Sequence, residues 1–314
     1  MRRITLSWEP LGLSVTAELD GRNPQLAEAI WQALPYQSLQ GHALVAGHHL
    51  YHLAPVHELV HTPGTECIDR RTAPNGTVFG SALQHLGIKY GSLTEPMAAS
   101  PIGRVHEADL PLLSQVGRAV WEATYHTKKA ITVEVRRAGE PGGHRIPRLH
   151  AADPRVDRLI TDIFAATEHD WLTPPAELVD LHDGRIASGA GSFDTVLTTL
   201  LFVNGETRPL GYAGYGALVR AAANGDVPAE QLHQFARLLV PVPAEFLGYC
   251  GLERLWSFTQ RLLDVLDQPL SRSDFQALMS HMAMYVNCLG GWNLQLFPWD
   301  VGHHLRQETG TRHG

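Results

Sequence analysis

The chain has 314 residues, 44% of them hydrophobic and 18% charged, with a formal net charge of −7; this describes a folded protein with room for two cores and excludes a disordered chain. The acidic balance, with Lys and Arg scattered, argues against a nucleic-acid binder, because phosphate contacts need clustered cations. Three cysteines without a CxxC, no apolar leader and no run near the ~20 apolar residues of a membrane span point to a reducing, cytoplasmic setting.

Residues 4–19 alternate. Ile4, Leu6 and Trp8, then Leu13, Val15, Ala17 and Leu19, read as a hairpin with one buried face about a turn at Pro10 and Gly12. Asn23-Pro24 opens a helix with Leu26, Ala27 and Ile30 inward, and Pro35 stops it. Residues 40–108, rich in Gly, Pro and short apolar runs, have the texture of short strands and long loops, as in a barrel or sandwich. Asp109 is expected to cap a helix with Leu113, Val116, Val120 and Trp121 on one stripe, and Ile131, Val133 and Val135 make a closing strand.

Gly139-Glu140-Pro141-Gly142-Gly143 reads as a linker open to protease. Beyond it the period changes from 2 to 3.6. Asp153-Pro154 opens a helix with Val156, Leu159, Ile160 and Ile163 inward. A second stripe runs from Leu252 to Leu266, and a third helix, capped by Ser273, should end at Gly290-Gly291. The fold class is therefore α+β: a β-barrel domain over 1–137, a linker over 138–151 and an all-α helical bundle over 152–314.

Six of the 18 histidines fall between His42 and His61. His57-Glu58-Leu59-Val60-His61 matches HExxH, in which two His one turn apart bind zinc and the Glu activates water. Here Pro55 and Pro63 bracket the motif and leave too little helix, so the expectation is no metal, with the histidines on a solvated strand and loop or in a polar pocket. Lys89 is expected to be exposed rather than a Schiff-base amine, and Cys67 buried rather than nucleophilic. The glycines at 189–191 and 211–216 lack GxGxxG spacing, and the chain has neither GxxxxGK[ST] nor GxSxG, so nicotinamide, ATP and Ser-hydrolase chemistry lack their usual sequence machinery.

The order hairpin, Asn23–Pro35, Gly41-His42-Ala43, then Gly76-Thr77-Val78-Phe79, Gly87-Ile88-Lys89-Tyr90-Gly91, Glu95-Pro96 and the helix over 116–124, resembles the cyclophilin-like domains of small bacterial proteins. Joined to a helical bundle, it resembles the cucumopine synthase family. The Arg–Phe–x–Met–Gln pattern of active prolyl isomerases is missing. The resemblance implies a Pictet–Spengler-type condensation of an aromatic amino acid, of histidine or tryptophan type, with a 2-oxo acid or aldehyde. It needs no cofactor and takes small molecules rather than nucleic acid or membrane as partners; a homo-oligomer is left open.

Such chemistry needs a base for the ring proton, for which Glu66 is the first expectation and Glu95 and Asp69 follow. It needs an acid for loss of water, His85 or Tyr90, and a cradle for carboxylates, Arg70, Arg71 and Arg104. Trp292 and Trp299 are candidates to wall a flat ring, or to pack on the bundle. Two other readings stay open: a small-molecule-binding protein without catalysis, and a zinc-dependent hydrolase built on His57, Glu58 and His61.

Overall fold

The computed structural model describes residues 2–302; the last part of the expected bundle, 303–314, lies outside them. Strands β1 (Arg2–Trp8) and β2 (Leu13–Leu19) form the expected hairpin, with Ile4 opposite Ala17 and Leu6 opposite Val15. Six of the seven alternating apolar residues named for it are buried, and Leu13 is half-buried. Helix α1 (Pro24–Ala33) starts where Asn23-Pro24 places it, but the Asn23 side chain does not cap it. Its amide donates to the carbonyls of Glu66 (2.9 Å) and Pro101 (2.7 Å), and its carbonyl accepts from the Glu66 N–H, so it pins two loops together.

Strands β3 (Tyr36–His42), β4 (Gly47–Leu53), β5 (Ile68–Asp69), β6 (Thr77–Ser81), β7 (His85–Leu93) and β8 (Ala98–Val105) follow, then α2 (Leu110–Glu122), a π-helical turn over Ala123–Thr127 and β9 (Thr132–Arg137). Eight strands run β2-β1-β9-β3-β4-β7-β6-β8, all antiparallel, and β2 pairs back onto β8 to close a barrel; β5 adds a short rung outside β8. Closure leaves the eight strands no open edge. It brings Gly103 so near β2 that a Cβ there would stand 2.3 Å from the Glu18 carbonyl oxygen, so only glycine fits the seam. Helices α1 and α2 bury Leu26, Ile30, Leu113, Val116 and Val120 in the barrel core. Asp109 begins α2 without capping it; its carboxylate accepts instead from the Thr16 N–H at 2.8 Å.

Between Arg137 and Pro154 there is no regular element, yet the segment is tied down. Gly143 N–H donates to Glu134, Leu149 N–H to His281 Nε2 and Ala152 N–H to Asp274, while Ile146 is buried. Eight helices follow: α3 (Pro154–Asp170), α4 (Ala176–His182), α5 (Val196–Pro209), α6 (Gly216–Asn224), α7 (Ala229–Leu239), α8 (Pro241–Tyr249), α9 (Glu253–Val265) and α10 (Arg272–Leu296). The inward stripes expected for α3 and α9 pack in one core.

Helix α10 departs from expectation at both ends. Its N-cap is Ser271, whose hydroxyl accepts from the Asp274 N–H, rather than Ser273, and it runs through Gly290-Gly291 to Leu296. Twenty of its residues are buried, so surrounding helices hold the backbone helical where two glycines alone would end it. The extra turn matters because it delivers Trp292, Leu294 and Gln295 against the barrel. No described helix is long and apolar enough to cross a membrane.

Candidate active site

A cleft of about 550 Å³ opens where the barrel meets the bundle. Period-two geometry sends His49 and Tyr51 from β4, and His85 and Gly87 from β7, to the same face. Tyr51 pairs with Gly87, and a Cβ at Gly87 would lie 2.5 Å from the His49 ring, so the glycine makes room for that imidazole. Arg70 lines the cleft from the barrel side and is buried; it forms an ion pair with Glu95, which is half-exposed at the mouth. The Arg70 Nε–H is buried without a hydrogen-bond partner among the described residues.

The bundle contributes the opposite wall. A π-helical turn, Leu210–Tyr215, sits between α5 and α6 and re-aims the chain so that the Tyr212 hydroxyl lies 3.1 Å from His85 Nε2. Gly211 leaves room there for the Asn287 side chain, whose Oδ1 would stand 2.1 Å from a Cβ. Arg208 lines the cleft, its guanidinium 5.9 Å from the Tyr212 ring centroid, and His85 stacks on Tyr51 at 4.7 Å. Behind the cleft lies a narrower slot between Gln40, His42 and His52 of the barrel and Trp171, Asn287, Trp292 and Gln295 of the bundle. The two spaces share Leu44, Tyr51, His85 and Leu294.

Burial sets the charge states. His85 is pushed down to about 3 by burial and then by Arg208, and His49 to about 3 by burial and then by Arg70. His52, whose Nε2 meets the Tyr36 hydroxyl at 3.0 Å, is pushed down to about 3 by burial alone. All three rings are neutral near pH 7, so the net cations here are guanidinium groups.

These depressed values predict acid lability. A histidine in the unfolded chain titrates near 6.5, so as pH falls the unfolded state takes up protons first. The stability of the neutral rings is complete above about pH 6.5 and is lost progressively toward pH 3. At pH 5 the loss is about 2 kcal/mol per ring. Thermal unfolding followed by circular dichroism should show a midpoint clearly lower at pH 5 than at pH 7; equal midpoints would contradict the burial of neutral histidines.

A family profile described as "Cucumopine synthase C-terminal helical bundle domain" matches residues 156–296. Among solved structures, one described as "Structure of McbB in complex with tryptophan" superposes with a TM-score of 0.94 at 46% identity, covering 96% of this chain and 99% of that one. The chain belongs to the cucumopine synthase family. Among curated proteins no match was found.

The structure brings together some of the residues expected to serve this family's chemistry and separates others. Arg70, His85 and Glu95 share the cleft, and Trp292 lines the slot behind it. Glu66, the first expectation for the base, sits on an exposed loop with its backbone held by Asn23, outside both spaces. Asp69 and Arg71 form an ion pair with each other, and exposed Arg104 faces outward on β8 opposite Glu18. Trp299 packs on Phe297 and donates to the Leu294 carbonyl at 2.8 Å. Tyr90 lies in a different groove, with its hydroxyl 2.6 Å from His42 Nε2.

Two other expectations need correction, and a third is decided between its alternatives. Lys89 is buried, with Nζ donating to the Arg71 (2.5 Å) and Ala73 (2.6 Å) carbonyls; it ties down the loop that carries Arg70. Cys67 is exposed, because its loop lies outside the barrel wall, and Cys250 and Cys288 are the buried cysteines. Of the two placements expected for the histidine-rich segment, the pocket describes most of it: His42, His49, His52 and His57 are buried, and the first three line the cleft or the slot. His57 occupies a 3-10 turn, donates to the Pro147 carbonyl at 3.2 Å and faces His281 at 4.8 Å; burial pushes it down to about 4. Among the described residues, no group of three or more His, Cys, Asp or Glu is placed to hold a metal ion.

Sequence reading singled out none of Tyr51, Arg208 and Trp171 for these spaces, and had His49 only as one of a histidine-rich segment that could form a pocket. Tyr51 and His49 carried a signal, since both fall on one face once 47–53 is read as a strand. Arg208 carried none.

Proposed function

We propose that the chain condenses a tryptophan-type amine with a 2-oxo acid or a carboxylated aldehyde, by a Pictet–Spengler-type ring closure. The observation that carries this reading is one carboxylate, Glu95, paired to a buried guanidinium with an unused Nε–H, beside a slot walled by two tryptophans. McbB, the 46%-identical structural relative, was solved with tryptophan bound, which supports an aromatic amine as one substrate.

Each step follows from a named group. Arg70 holds the carbonyl partner's carboxylate, and Arg208 receives that of the amino acid. Glu95 takes a proton from the substrate ammonium; the free amine adds to the carbonyl carbon and gives a carbinolamine. Protonated Glu95 returns the proton to the carbinolamine hydroxyl, which leaves as water. The resulting iminium carbon forms a bond to the indole ring carbon. Glu95 then removes the proton from that carbon, restores aromaticity, and passes it to the product amine. Neutral His85, held by Tyr51 and Tyr212, hydrogen-bonds the carbonyl oxygen as charge develops there. Holding both reactants in one cleft supplies much of the acceleration.

Incubation with tryptophan and a panel of 2-oxo acids and aldehydes, without nucleotide, should give an adduct with the mass of both substrates minus one water. A reductive product would carry two more hydrogens. No product above the uncatalysed background across the panel would defeat the reading and leave a binding protein. The Lys89 tether adds a finer expectation. Lys89→Met should free the Arg70 loop and raise KM for the carbonyl acid by about ten-fold while the amine KM stays within about two-fold. An equal rise in both would make Lys89 a general stability residue.

A further inference from the structure

A second groove of about 750 Å³ lies on the far side of the β3–β4 tip from the cleft. One wall is a face of α2: Ser114, Gly117, Arg118 and Trp121 follow the i, i+3, i+4, i+7 spacing that aligns side chains on one side of a helix. The other wall is Tyr90 of β7 and His48 of β4, whose rings lie 5.3 Å apart. Gly117 permits the arrangement, since a Cβ there would come within 2.2 Å of the Tyr90 ring.

The groove's chemistry is one-sided. Four flat rings, Tyr90, His48, Trp121 and His42, line it, and no acidic residue does among the described residues. Arg118 is exposed at its edge, and among the described residues it has no ion-pair partner, unlike most arginines of the chain. At its base, His42 Nδ1–H donates to the Ala43 carbonyl at 2.8 Å, so Nε2 is the acceptor and the Tyr90 hydroxyl donates to it at 2.6 Å. His42 also lines the inner slot, and Ala43, Leu44 and Val45 line both groove and cleft.

We propose that this groove is a second ligand site, for a flat aromatic carboxylic acid, separated from the cleft only by His42 and the β3–β4 tip. The guanidinium of Arg118 takes the carboxylate, and the faces of Trp121 and Tyr90 take the ring. An unpaired cation beside aromatic walls selects an anion with an apolar plane, the chemistry shared by an aromatic amino acid and by a cyclised aromatic acid. A ligand here rests on the same His42 that walls the slot, so occupancy of the groove is felt in the slot.

Isothermal titration with indole-3-acetate tests the site, because this probe has the ring and carboxylate but no amine to condense. The parent should bind two equivalents, Arg208→Ala one, and Arg208→Ala with Arg118→Ala none measurable. Arg118→Ala alone should weaken the groove equivalent by about ten-fold or more and leave kcat/KM for condensation unchanged; Arg118 is exposed on a helix, so the variant should fold. Trp121→Leu should lose the same equivalent. Binding by Arg118→Ala and Trp121→Leu indistinguishable from the parent, or no binding to Arg208→Ala, would overturn the proposal. The titration contains no carbonyl partner, so it reads the groove independently of turnover. Subsequent titration with tryptophan and with the isolated condensation product shows which of the two is the physiological occupant.

Discussion

Glu95→Gln should lower kcat by about 10²–10⁴-fold, the usual contribution of a positioned acid–base group, with little change in KM for either substrate. The amide keeps the size and planarity of the carboxylate but cannot take a proton from the ammonium or from the ring carbon. Because Glu95 is half-exposed at the tip between β7 and β8, the variant should fold with an unchanged far-ultraviolet spectrum. The informative control is Glu66→Gln. Glu66 is exposed and outside the cleft, so its variant should keep parent turnover. Single-turnover product formation measured by mass separates the two. A Glu95→Gln enzyme within a few-fold of the parent, or an inactive Glu66→Gln enzyme, would remove Glu95 as the base.

Arg70→Ala should cost kcat/KM about 10²–10³-fold, the range for truncating one partner of a buried, hydrogen-bonded charge pair. Two losses combine. The carbonyl acid loses its guanidinium contact, which raises its KM, and Glu95 loses the partner that fixes its carboxylate, which lowers kcat. Arg70→Lys should not restore activity. A lysine ammonium cannot present a planar fork to Glu95 and a second donor to the substrate together. The KM for tryptophan should stay close to the parent value if Arg208 holds that carboxylate. If Arg70→Ala proves as active as the parent, the cleft is not where the acid binds.

Both expectations concern a pair that local pattern did not isolate. Arg70 and Glu95 were each visible as chemistry-bearing residues, one in a charged loop and one before Pro96. They stood beside Glu66, Asp69, Arg71 and Arg104, which have the same chemistry, and no periodicity ranks one loop carboxylate above another. Pairing across a barrel ranks them: the β5–β8 rung and the contact of Arg70 N–H with the Met97 carbonyl bring positions 25 residues apart into contact. Asp69 and Arg71, a residue to either side of Arg70, turn to each other and to solvent.

What the sequence by itself determined is what short-range physics can enforce. The alternation of Ile4, Leu6 and Trp8 with polar neighbours marks one face of a strand for the core, and β1 buries all three there. The 3.6-residue stripes of α3 and α9 have one apolar side each, and that side is in the core. The change of period after residue 139 marks where strands give way to helices, and the barrel-then-bundle order follows from it. Only the tertiary structure decided that β2 closes onto β8, that α10 continues through Gly290-Gly291, and that Arg208 and Tyr212 of the bundle complete a site begun on the barrel. Each depends on groups distant in the chain excluding water together. Gly290 stays helical because α5 and its neighbours bury it, and a π-helical turn aims Tyr212 because His85, 127 residues earlier, is there to meet it.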